Sequence, residues 1–372
     1  MKVCLGLGDY SSGGGIEKVT IQLANSLRGK SEYQVCLLTL EKKGEVIFKL
    51  SDDIEVKNLN NKISLHNRKK NIFSGINDSL FFMLNIFKIR KYLIKEKIDY
   101  IVGSDIKLTL LFYLSSLKTR TKVIGMEHFE FDVPSKILQK IRKFYYRNLY
   151  KVVTLTNEDL HKYEEIGLKE KIEVIPNIVF YNKEKSHDIN SKRIISVGRL
   201  TYQKGYDLLI EIWNKIEKEF PDWKLDIFGE GEDKISLLNK INELKLNNIK
   251  INNFTKNIDI EYQKSAFYVM SSRFEGLPTV LIEALSFGLP VISFECPAGP
   301  KTIISQEVNG ELVKNYDIEE FQNKMKKLMN SLELRKKYTN NARKNLYKYS
   351  EEEVLKKWKK LFNNDKENKS VN

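Results

Sequence analysis

The chain has 372 residues, of which 41% are hydrophobic and 30% are charged, so it is long enough to form two domains with substantial cores. Lysine and arginine outnumber aspartate and glutamate by 63 to 49, and the formal net charge of +14 fits either an anionic partner or a solvated lysine-rich surface. Cys4, Cys36 and Cys296 lack metal-ligand spacing, and no apolar run reaches the ~18 residues of a membrane span. We therefore expect a cytoplasmic protein, either free or peripheral on the inner face of the cell membrane, and not a disulfide-rich, metal-cluster or membrane-spanning one.

Short strand-like segments alternate with longer helical patterns from the first residues onward. In the first half, the predicted strands are Lys2–Leu7, Gln34–Leu40, Ile54–Leu59, Tyr100–Gly103, Lys122–Met126, Lys151–Leu155 and Ile172–Ile175. Helical patterns cover 16–27, 78–96, 135–150 and 158–166. Strands that are separated by helices predict βαβ units and a parallel sheet.

This periodicity is lost in a polar stretch at 177–192 and starts again at the strand-like segment 194–197. We expect an N-terminal domain over residues 1–180, a linker over 181–192, a second domain over 193–345, and a C-terminal helix with a polar tail over 346–372. The predicted fold class is α/β with two Rossmann-like domains. Open parallel sheets bind ligands beyond the carboxyl ends of their strands, so the candidate residues are those that follow strands.

A glycine-rich turn follows the first predicted strand and leads into the first helix. Glycine lets the backbone approach a ligand closely, and the free N–H groups of a helix N-terminus attract phosphate. Gly6 and Gly8 are followed by Ser11, where the dinucleotide fingerprint requires glycine or alanine. The turn therefore favours a phosphate ligand over hydride transfer with a nicotinamide cofactor.

A second phosphate-binding candidate opens the second half of the chain. Arg199 directly follows a predicted strand, and Lys204 stands five residues further on. An arginine fork and a lysine point charge at one sheet edge can neutralise a departing diphosphate without a metal ion. The alternative is a pair of isolated surface cations.

Two glutamates stand out in the segment Ser271–Pro290. Glu275 is predicted in a loop that Gly276 and Pro278 shape, and Glu283 in the helix that follows. A carboxylate among apolar residues needs a partner, which a ribose with adjacent hydroxyls or a buried cation can provide. Glycoside hydrolysis also uses two carboxylates, but they must flank one bond, which the loop and helix positions disfavour.

Taken in order, these motifs resemble glycosyltransferase family 4, the retaining group with the GT-B fold, and the resemblance spans nearly the whole chain. The matching positions are Gly14-Gly15-Ile16-Glu17, Glu127-His128, Ile175-Pro176-Asn177, Gly198-Arg199-Leu200, Lys204-Gly205, Phe228-Gly229-Glu230-Gly231, Glu275 and Glu283. The segment Cys296–Pro300 is similar to that of some bacterial surface-polysaccharide transferases of capsule or O-antigen assembly. Thr302 departs from the pattern, because many relatives carry an acid there.

The resemblance implies two domains that face each other across a cleft, with the C-terminal helix returning to the N-terminal domain. It implies that Arg199 and Lys204 hold the donor diphosphate, that Glu283 binds the ribose, and that Glu275 binds the donor sugar near the reacting centre. The other implied donor-binding positions are Gly14, Gly15, Gly276, Leu277, Pro278 and Thr279, and the implied acceptor-binding positions are Glu17 and His128. The catalytic residues implied are Glu275, His128, Arg199 and Lys204. A histidine at a strand end is nearly as often a satisfied structural residue.

The activity implied is a metal-independent, retaining transfer of a hexose or N-acetylhexosamine from a nucleotide sugar, with UDP favoured. The acceptor implied is a glycan or a polyprenyl-diphosphate-linked saccharide, and neither a cofactor nor nucleic acid is expected. Two other classes stay open. One is a nucleotide-sugar epimerase or a phosphorylase on the same scaffold, and the other is a non-catalytic protein that binds a membrane or RNA.

The segment Pro134–Lys151 carries six basic residues and no acid, with apolar residues at helical spacing beside them. Such a helix can lie on an anionic membrane surface or pack in the core with a solvated basic face. The sequence leaves the two readings equally open.

Overall fold

The computed structural model describes residues 1–11, 14–30, 32–41, 44, 46–59, 74–128, 131–180 and 186–369. Part of the expected linker, residues 181–185, and the last residues of the tail, 370–372, lie outside these ranges. The chain divides into two compact units, one formed by Met1–Ile178 with Val354–Asn372 and the other by Val179–Glu353.

The first unit is built on a parallel sheet of seven strands whose order is β3-β2-β1-β4-β5-β6-β7. Its strands are β1 (Lys2–Asp9), β2 (Gln34–Glu41), β3 (Glu55–Asn58), β4 (Tyr100–Gly103), β5 (Lys122–Met126), β6 (Lys151–Thr154) and β7 (Ile172–Val174). Its helices up to β7 are α1 (Gly15–Arg28), α2 (Ser74–Lys95), α3 (Ile106–Ser116), α4 (Lys136–Tyr145) and α5 (Asn157–Glu165). The central strands are buried on both faces, which explains why they read as continuous apolar runs.

Four helices of this unit lie on the same face of the sheet. The crossovers through α2, α3, α4 and α5 all step in one direction along the strand order, whereas α1 connects β1 to β2 in the opposite direction. Because βαβ crossovers are right-handed, α2 to α5 cover one face and α1 covers the other. Ile89 of α2, Phe112 of α3, Tyr145 of α4 and Tyr163 of α5 accordingly share one apolar core cluster.

The second unit repeats this architecture with a parallel sheet of six strands in the order β10-β9-β8-β11-β12-β13. The strands are β8 (Arg193–Val197), β9 (Lys224–Phe228), β10 (Ile249–Asn252), β11 (Phe267–Met270), β12 (Val291–Phe294) and β13 (Gly310–Val313). The helices are α6 (Tyr206–Asn214), α7 (Lys234–Glu243), α8 (Ile258–Gln263), α9 (Thr279–Ser286), α10 (Pro300–Ile303), α11 (Ile318–Asn330) and α12 (Leu332–Asn341). The strand order reverses between β8 and β11, which is where such sheets bind ligands.

The last helix, α13 (Glu351–Lys369), confirms the expected return of the chain to the first unit. The ring of Phe362 lies 5.0 Å from that of Tyr100 on β4 and 5.7 Å from that of Tyr33, which immediately precedes β2. Tyr100 also donates a hydrogen bond to the Phe362 carbonyl. Among the described helices, none is both long and apolar enough to cross a membrane.

Candidate functional site

The point of strand reversal in the second unit brings two sequence-predicted residues into direct contact. Lys204 ends a 3-10 turn, Tyr202–Lys204, in the loop after β8, and Glu275 lies in the loop after β11. The Lys204 Nζ lies 2.6 Å from Glu275 Oε1, and both side chains are largely buried. The pair therefore places one cation and one carboxylate at the sheet edge where a ligand is expected.

Two glycines allow these loops to approach each other closely. Gly205 has a φ of +64°, and a Cβ there would lie 2.1 Å from the carbonyl oxygen of Ser271. A Cβ at Gly229, after β9, would lie 1.9 Å from the carbonyl oxygen of Gly198, after β8. Since no side chain fits at either place, glycine is required for the loops to pack at these distances.

A second ion pair, which the sequence reasoning missed, holds the same loops together. Arg273 donates from Nη1 to Asp207 Oδ1 at 2.8 Å and from Nη2 to Asp207 Oδ2 at 2.6 Å, so the pair is bidentate. Nη1 of Arg273 also donates to the Tyr202 carbonyl at 2.8 Å, and its guanidinium stacks on the Tyr202 ring. The backbone N–H of Arg273 donates to the Gln203 carbonyl, and the Gln203 amide donates to the Phe274 carbonyl.

We call the Arg273–Asp207 pair with its bonds to the Tyr202 turn the loop clamp. The loop clamp holds the turn that contains Lys204 against the loop that leads to Glu275. It therefore helps to set the distance between the Lys204 and Glu275 side chains. The sequence offered only a weak signal for it, since Arg273 stands two positions before Glu275 but Asp207 is 66 residues away. Hydrogen bonding to Asp207, the largest effect, raises the pKa of Arg273, whereas burial lowers it.

The second glutamate, Glu283, lies in α9 and is half-buried. Burial raises the pKa of Tyr268 on β11, and the nearby Glu275 and Glu283 carboxylates raise it further. Both carboxylates therefore act electrostatically on the same phenol, whose hydroxyl donates to the Val197 carbonyl at the end of β8. Glu283 lies on the helix that follows the loop of Glu275.

The other predicted donor-binding positions surround this group in different ways. Gly276, Leu277 and Pro278 are buried in the loop that leads from Glu275 to α9, and Thr279 is the first residue of that helix. Arg199 follows β8 as expected, but its side chain is exposed and makes no ion pair with any residue that the structure describes. The structure thus brings Lys204 and Glu275 into contact, places Glu283 on the helix that follows the Glu275 loop, and leaves the guanidinium of Arg199 accessible.

In the first unit, the predicted residues again follow strands. Gly14 is the N-cap of α1, and Gly15 begins the helix in open surroundings, with no described atom within 4 Å of a Cβ placed there. Glu17 lies in the first turn of α1 and is half-buried. No side chain of the described residues caps this helix end, and unpaired backbone N–H groups at such an end can bind an anion.

His128 lies two residues beyond β5, next to Glu127, and both side chains are buried. Burial lowers the pKa of His128 to about 4, so the imidazole is neutral at physiological pH. Its Nε2 atom is buried without a hydrogen-bond partner among the described residues, which is unusual for an imidazole in a core.

Glu127 is held by different neighbours. Burial is the main cause that raises its pKa to about 7, although the nearby Arg142 opposes that shift. Tyr146 donates a hydrogen bond to Glu127 Oε1. Arg142, which is fully buried on α4, donates to the Tyr163 hydroxyl and to the Phe131 carbonyl.

Within the described part of the chain, no group of three or more histidine, cysteine, aspartate or glutamate side chains is arranged to hold a metal ion. The donor and acceptor residues predicted from the sequence thus fall at the carboxyl ends of strands in both units. Cationic side chains, carboxylates and a helix N-terminus are groups that bind a phosphorylated sugar.

Two family descriptions identify the chain as a glycosyltransferase. The family description Glycosyltransferase Family 4 matches residues 13–180, and the description Glycosyl transferases group 1 matches residues 179–345. The chain belongs to this family, whose fold is the two-part GT-B architecture.

Its relatives include proteins of bacterial polysaccharide assembly. The amylovoran biosynthesis glycosyltransferase AmsD of Erwinia amylovora is 30% identical over 97% of this chain and 99% of its own length. An alpha-1,4-N-acetyl-D-galactosaminyltransferase of Campylobacter jejuni, whose name specifies a PP-undecaprenol-linked saccharide, is 24% identical over 97% of this chain and 98% of its own length.

Solved structures share the fold. The TarM glycosyltransferase of S. aureus, determined with UDP, superimposes with a TM-score of 0.81 at 17% identity, over 97% of this chain and 99% of that chain. The Anabaena protein HepE, determined with UDP and glucose, gives a TM-score of 0.79 at 16% identity, over 98% of this chain and 100% of that chain.

Proposed function

We propose that this glycosyltransferase moves a hexose or N-acetylhexosamine from a UDP-sugar to a glycan or polyprenyl-diphosphate-linked saccharide in bacterial polysaccharide biosynthesis. The observation that carries the proposal is the contact of Lys204 with Glu275 across the strand reversal of the second unit. The names of the relatives support a saccharide acceptor, and one of them supports a lipid-linked acceptor.

The donor diphosphate is bound by Lys204 and Arg199. Lys204 already neutralises Glu275, and its ammonium has three donors, so it can contact a phosphate oxygen without leaving the carboxylate. Arg199 is accessible at the same sheet edge and supplies a second cation in a planar fork. These charges act on the oxygen that leaves with the nucleotide, and they allow the reaction to proceed without a metal ion.

The two carboxylates bind hydroxyl groups of the donor. Glu283 accepts from the ribose hydroxyls, since it is a half-buried carboxylate in an otherwise apolar helix. Glu275 accepts from the transferred sugar, and the residues from Gly276 to Thr279 lie beside it in the chain. The separate environments of the two carboxylates favour binding roles over the paired roles of a glycoside hydrolase.

The first unit supplies the acceptor side. Glu17, at the start of α1, and His128, after β5, bind acceptor hydroxyls, and the backbone N–H groups of Gly14 and Gly15 bind a diphosphate or the acceptor. The unpartnered Nε2 of His128 supports a hydrogen bond to a sugar hydroxyl. Because its pKa is about 4, the neutral imidazole can donate or accept a hydrogen bond without carrying a charge.

The reaction is a front-face displacement with retention of the anomeric configuration. The bond from the anomeric carbon to the diphosphate oxygen breaks, and the acceptor oxygen forms the new bond on the same face. The proton of the acceptor hydroxyl passes to the departing phosphate oxygen, and UDP leaves. The enzyme acts in the cytoplasm and meets its acceptor at the membrane through the segment Pro134–Lys151.

Incubation with individual UDP-sugars and extracted lipid-linked saccharide tests this function. We expect one UDP-sugar to give UDP and an extended saccharide, with the same anomeric configuration by NMR and an undiminished rate in EDTA. Donor consumption without an acceptor would indicate an epimerase instead, and a strict requirement for inorganic phosphate would indicate a phosphorylase. Inversion at the anomeric carbon would disprove the stereochemical part.

A further inference from the structure

The outward side of α2 carries large apolar side chains that no part of the described chain covers. Met83, Phe87 and Ile94 are 57%, 64% and 58% exposed, and they fall on one stripe of the helix. Ile94 and Phe87 line a shallow groove with Arg90, Lys91 and Lys95. Exposed lysines therefore flank the stripe, and its apolar residues are not needed by the core of the unit.

The outward side of α4 has the same character. Ile137 and Phe144 are 71% and 81% exposed, while Arg142 and Tyr145 on the inward side are buried. The alternatives that the sequence left open for this helix are therefore not exclusive. One side of α4 packs in the core, and the other presents apolar side chains among exposed lysines.

These two sides belong to one helical layer. Arg90 of α2 donates to the carbonyls of Leu114 and Ser115 on α3, and Tyr145 of α4 donates to the carbonyl of Ile106 at the other end of α3. Because α2, α3 and α4 cover the same face of the sheet, their outward sides point away from it on the same side of the unit. We call this surface the helical face.

The charged residues of the helical face are basic over the parts of α2, α3 and α4 whose side chains the structure describes. No acidic residue occurs in Phe82–Lys95, Ile106–Ser116 or Lys136–Tyr145, and the one acid of α2, Asp78, lies before these ranges. The exposed basic residues of α2 and α4 are Lys88, Lys91, Lys95, Lys136, Lys140 and Lys143. The pattern ends at the next helix of the layer, since α5 carries Glu158, Asp159, Glu164 and Glu165. The occupant of the helical face is therefore anionic and offers an apolar environment.

We propose that the helical face, with α2 and α4 acting together, docks on the interface of an anionic lipid bilayer. The lysines contact lipid headgroups, while Phe87, Ile94, Ile137 and Phe144 enter the boundary between headgroups and acyl chains. An RNA would use the lysines but would leave four aliphatic or phenyl groups in water. The inference rests on the proposed function, in which the membrane brings a lipid-linked acceptor to the enzyme. It adds α2 as a second membrane-contacting helix beside α4.

Vesicle cosedimentation of the full chain tests the inference without donor or acceptor. We expect binding to vesicles of phosphatidylglycerol mixed with phosphatidylcholine, and little binding to phosphatidylcholine alone. The variant Phe87→Ser/Phe144→Ser should bind at least about tenfold more weakly. Its matched control is Ile235→Ser, a 74% exposed side chain on α7 of the other unit, which should bind like the wild type.

A second set of variants tests the charges. Each lysine is worth about fivefold in affinity for an anionic leaflet, so the reversal Lys88→Glu/Lys91→Glu/Lys140→Glu/Lys143→Glu should abolish binding. Lys215→Glu/Lys218→Glu/Lys250→Glu/Lys256→Glu changes the net charge equally at exposed lysines of the second unit and should retain most of the binding. Equal loss in both quadruple variants would overturn the inference, because it would show a nonspecific charge effect.

Three other results would also overturn it. They are equal binding to neutral and anionic vesicles, binding of RNA but not of vesicles, and a concentration-dependent dimer that Phe87→Ser/Phe144→Ser dissociates. Transfer to a water-soluble acceptor separates this inference from the proposed function. Phe87→Ser/Phe144→Ser should leave that rate unchanged, and an inactive wild type that still binds vesicles would disprove the function alone.

Discussion

Lys204 and Glu275 are 71 residues apart in the sequence, yet Nζ of the lysine lies 2.6 Å from Oε1 of the glutamate. Each follows a different strand at the point where the strand order of the second sheet reverses. The contact means that the ammonium is already positioned and partly desolvated before a donor arrives. Positioning of this kind reduces the reorganisation that charge stabilisation in a transition state requires.

The first prediction concerns this lysine. Lys204→Ala removes the cation that we propose stabilises the departing diphosphate, and it leaves Glu275 buried without its partner, so kcat should fall about 100-fold or more. Steady-state kinetics with the best UDP-sugar measure the effect. Lys215→Ala, at an exposed lysine of the same unit, is the control and should keep the wild-type rate. A Lys204→Ala enzyme within a few-fold of the wild type would contradict the proposed role.

The second prediction separates donor binding from chemistry. Glu283→Ala removes the carboxylate that we propose accepts from the ribose, and the loss of charged hydrogen bonds should weaken UDP binding about 10- to 100-fold. Titration calorimetry with UDP measures the dissociation constant, because UDP contains the ribose but not the transferred sugar. Glu243→Ala, an exposed glutamate on α7, should bind UDP normally. Unchanged UDP affinity in Glu283→Ala would exclude the ribose role.

The third prediction concerns the loop clamp. Arg273→Lys keeps the charge but cannot make the bidentate pair with Asp207 or stack as a planar group on Tyr202, so kcat should fall about tenfold while the protein stays folded. Asp207→Asn should cause a similar loss. Because both changes release the same loops, the double variant should be no slower than the worse single variant. Multiplicative losses would show that the two residues act independently.

The fourth prediction concerns the pH dependence of stability at Glu127 and His128. The pKa of Glu127 rises from 4.5 to about 7 on folding, so its contribution to stability is present at low pH and is lost as the pH rises towards 7. The pKa of His128 falls from 6.5 to about 4, so its contribution is present at neutral pH and is lost on acidification. Between pH 6.5 and 4.5 the two contributions therefore oppose each other.

Single variants should reveal this compensation. Relative to the wild type, Glu127→Gln should lose about 2 kcal/mol of unfolding free energy between about pH 7.5 and about pH 5, because His128 then acts alone. His128→Gln should gain a similar amount over the same interval. Urea denaturation at the two pH values measures both. Parallel pH profiles for the wild type and both variants would contradict the burial of both groups, which shifts the two pKa values in opposite directions.

Much of the fold could be predicted because strands and amphipathic helices have different periodicities. Helix α3 was missed, since its sequence from Ile106 to Ser116 is apolar almost all round and shows no helical stripe. Strand β13 was also missed, because it is short and contains Glu311, which is fully buried beside Lys324 and Tyr338. Neither partner is close to Glu311 in the sequence, so no local pattern explains the buried acid.

The candidate site was predictable in its residues but not in its connections. Lys204, Glu275 and Glu283 stand out because charged residues follow strand ends or interrupt an apolar helix. The pairing of Lys204 with Glu275 and the clamp between Arg273 and Asp207 depend on which strands are neighbours, and periodicity does not reveal the strand order. The outward sides of α2 and α4 likewise required the packing of the layer to be known.

The return of α13 has a consequence for how the chain is made. The second unit is one continuous stretch, Val179–Glu353, whereas the first unit needs both Met1–Ile178 and the residues from Val354 onward. During synthesis on the ribosome, the second unit is therefore complete while the first unit still lacks Trp358 and Phe362, two buried residues of its core. The nascent polypeptide thus acquires its second half before it can finish its first.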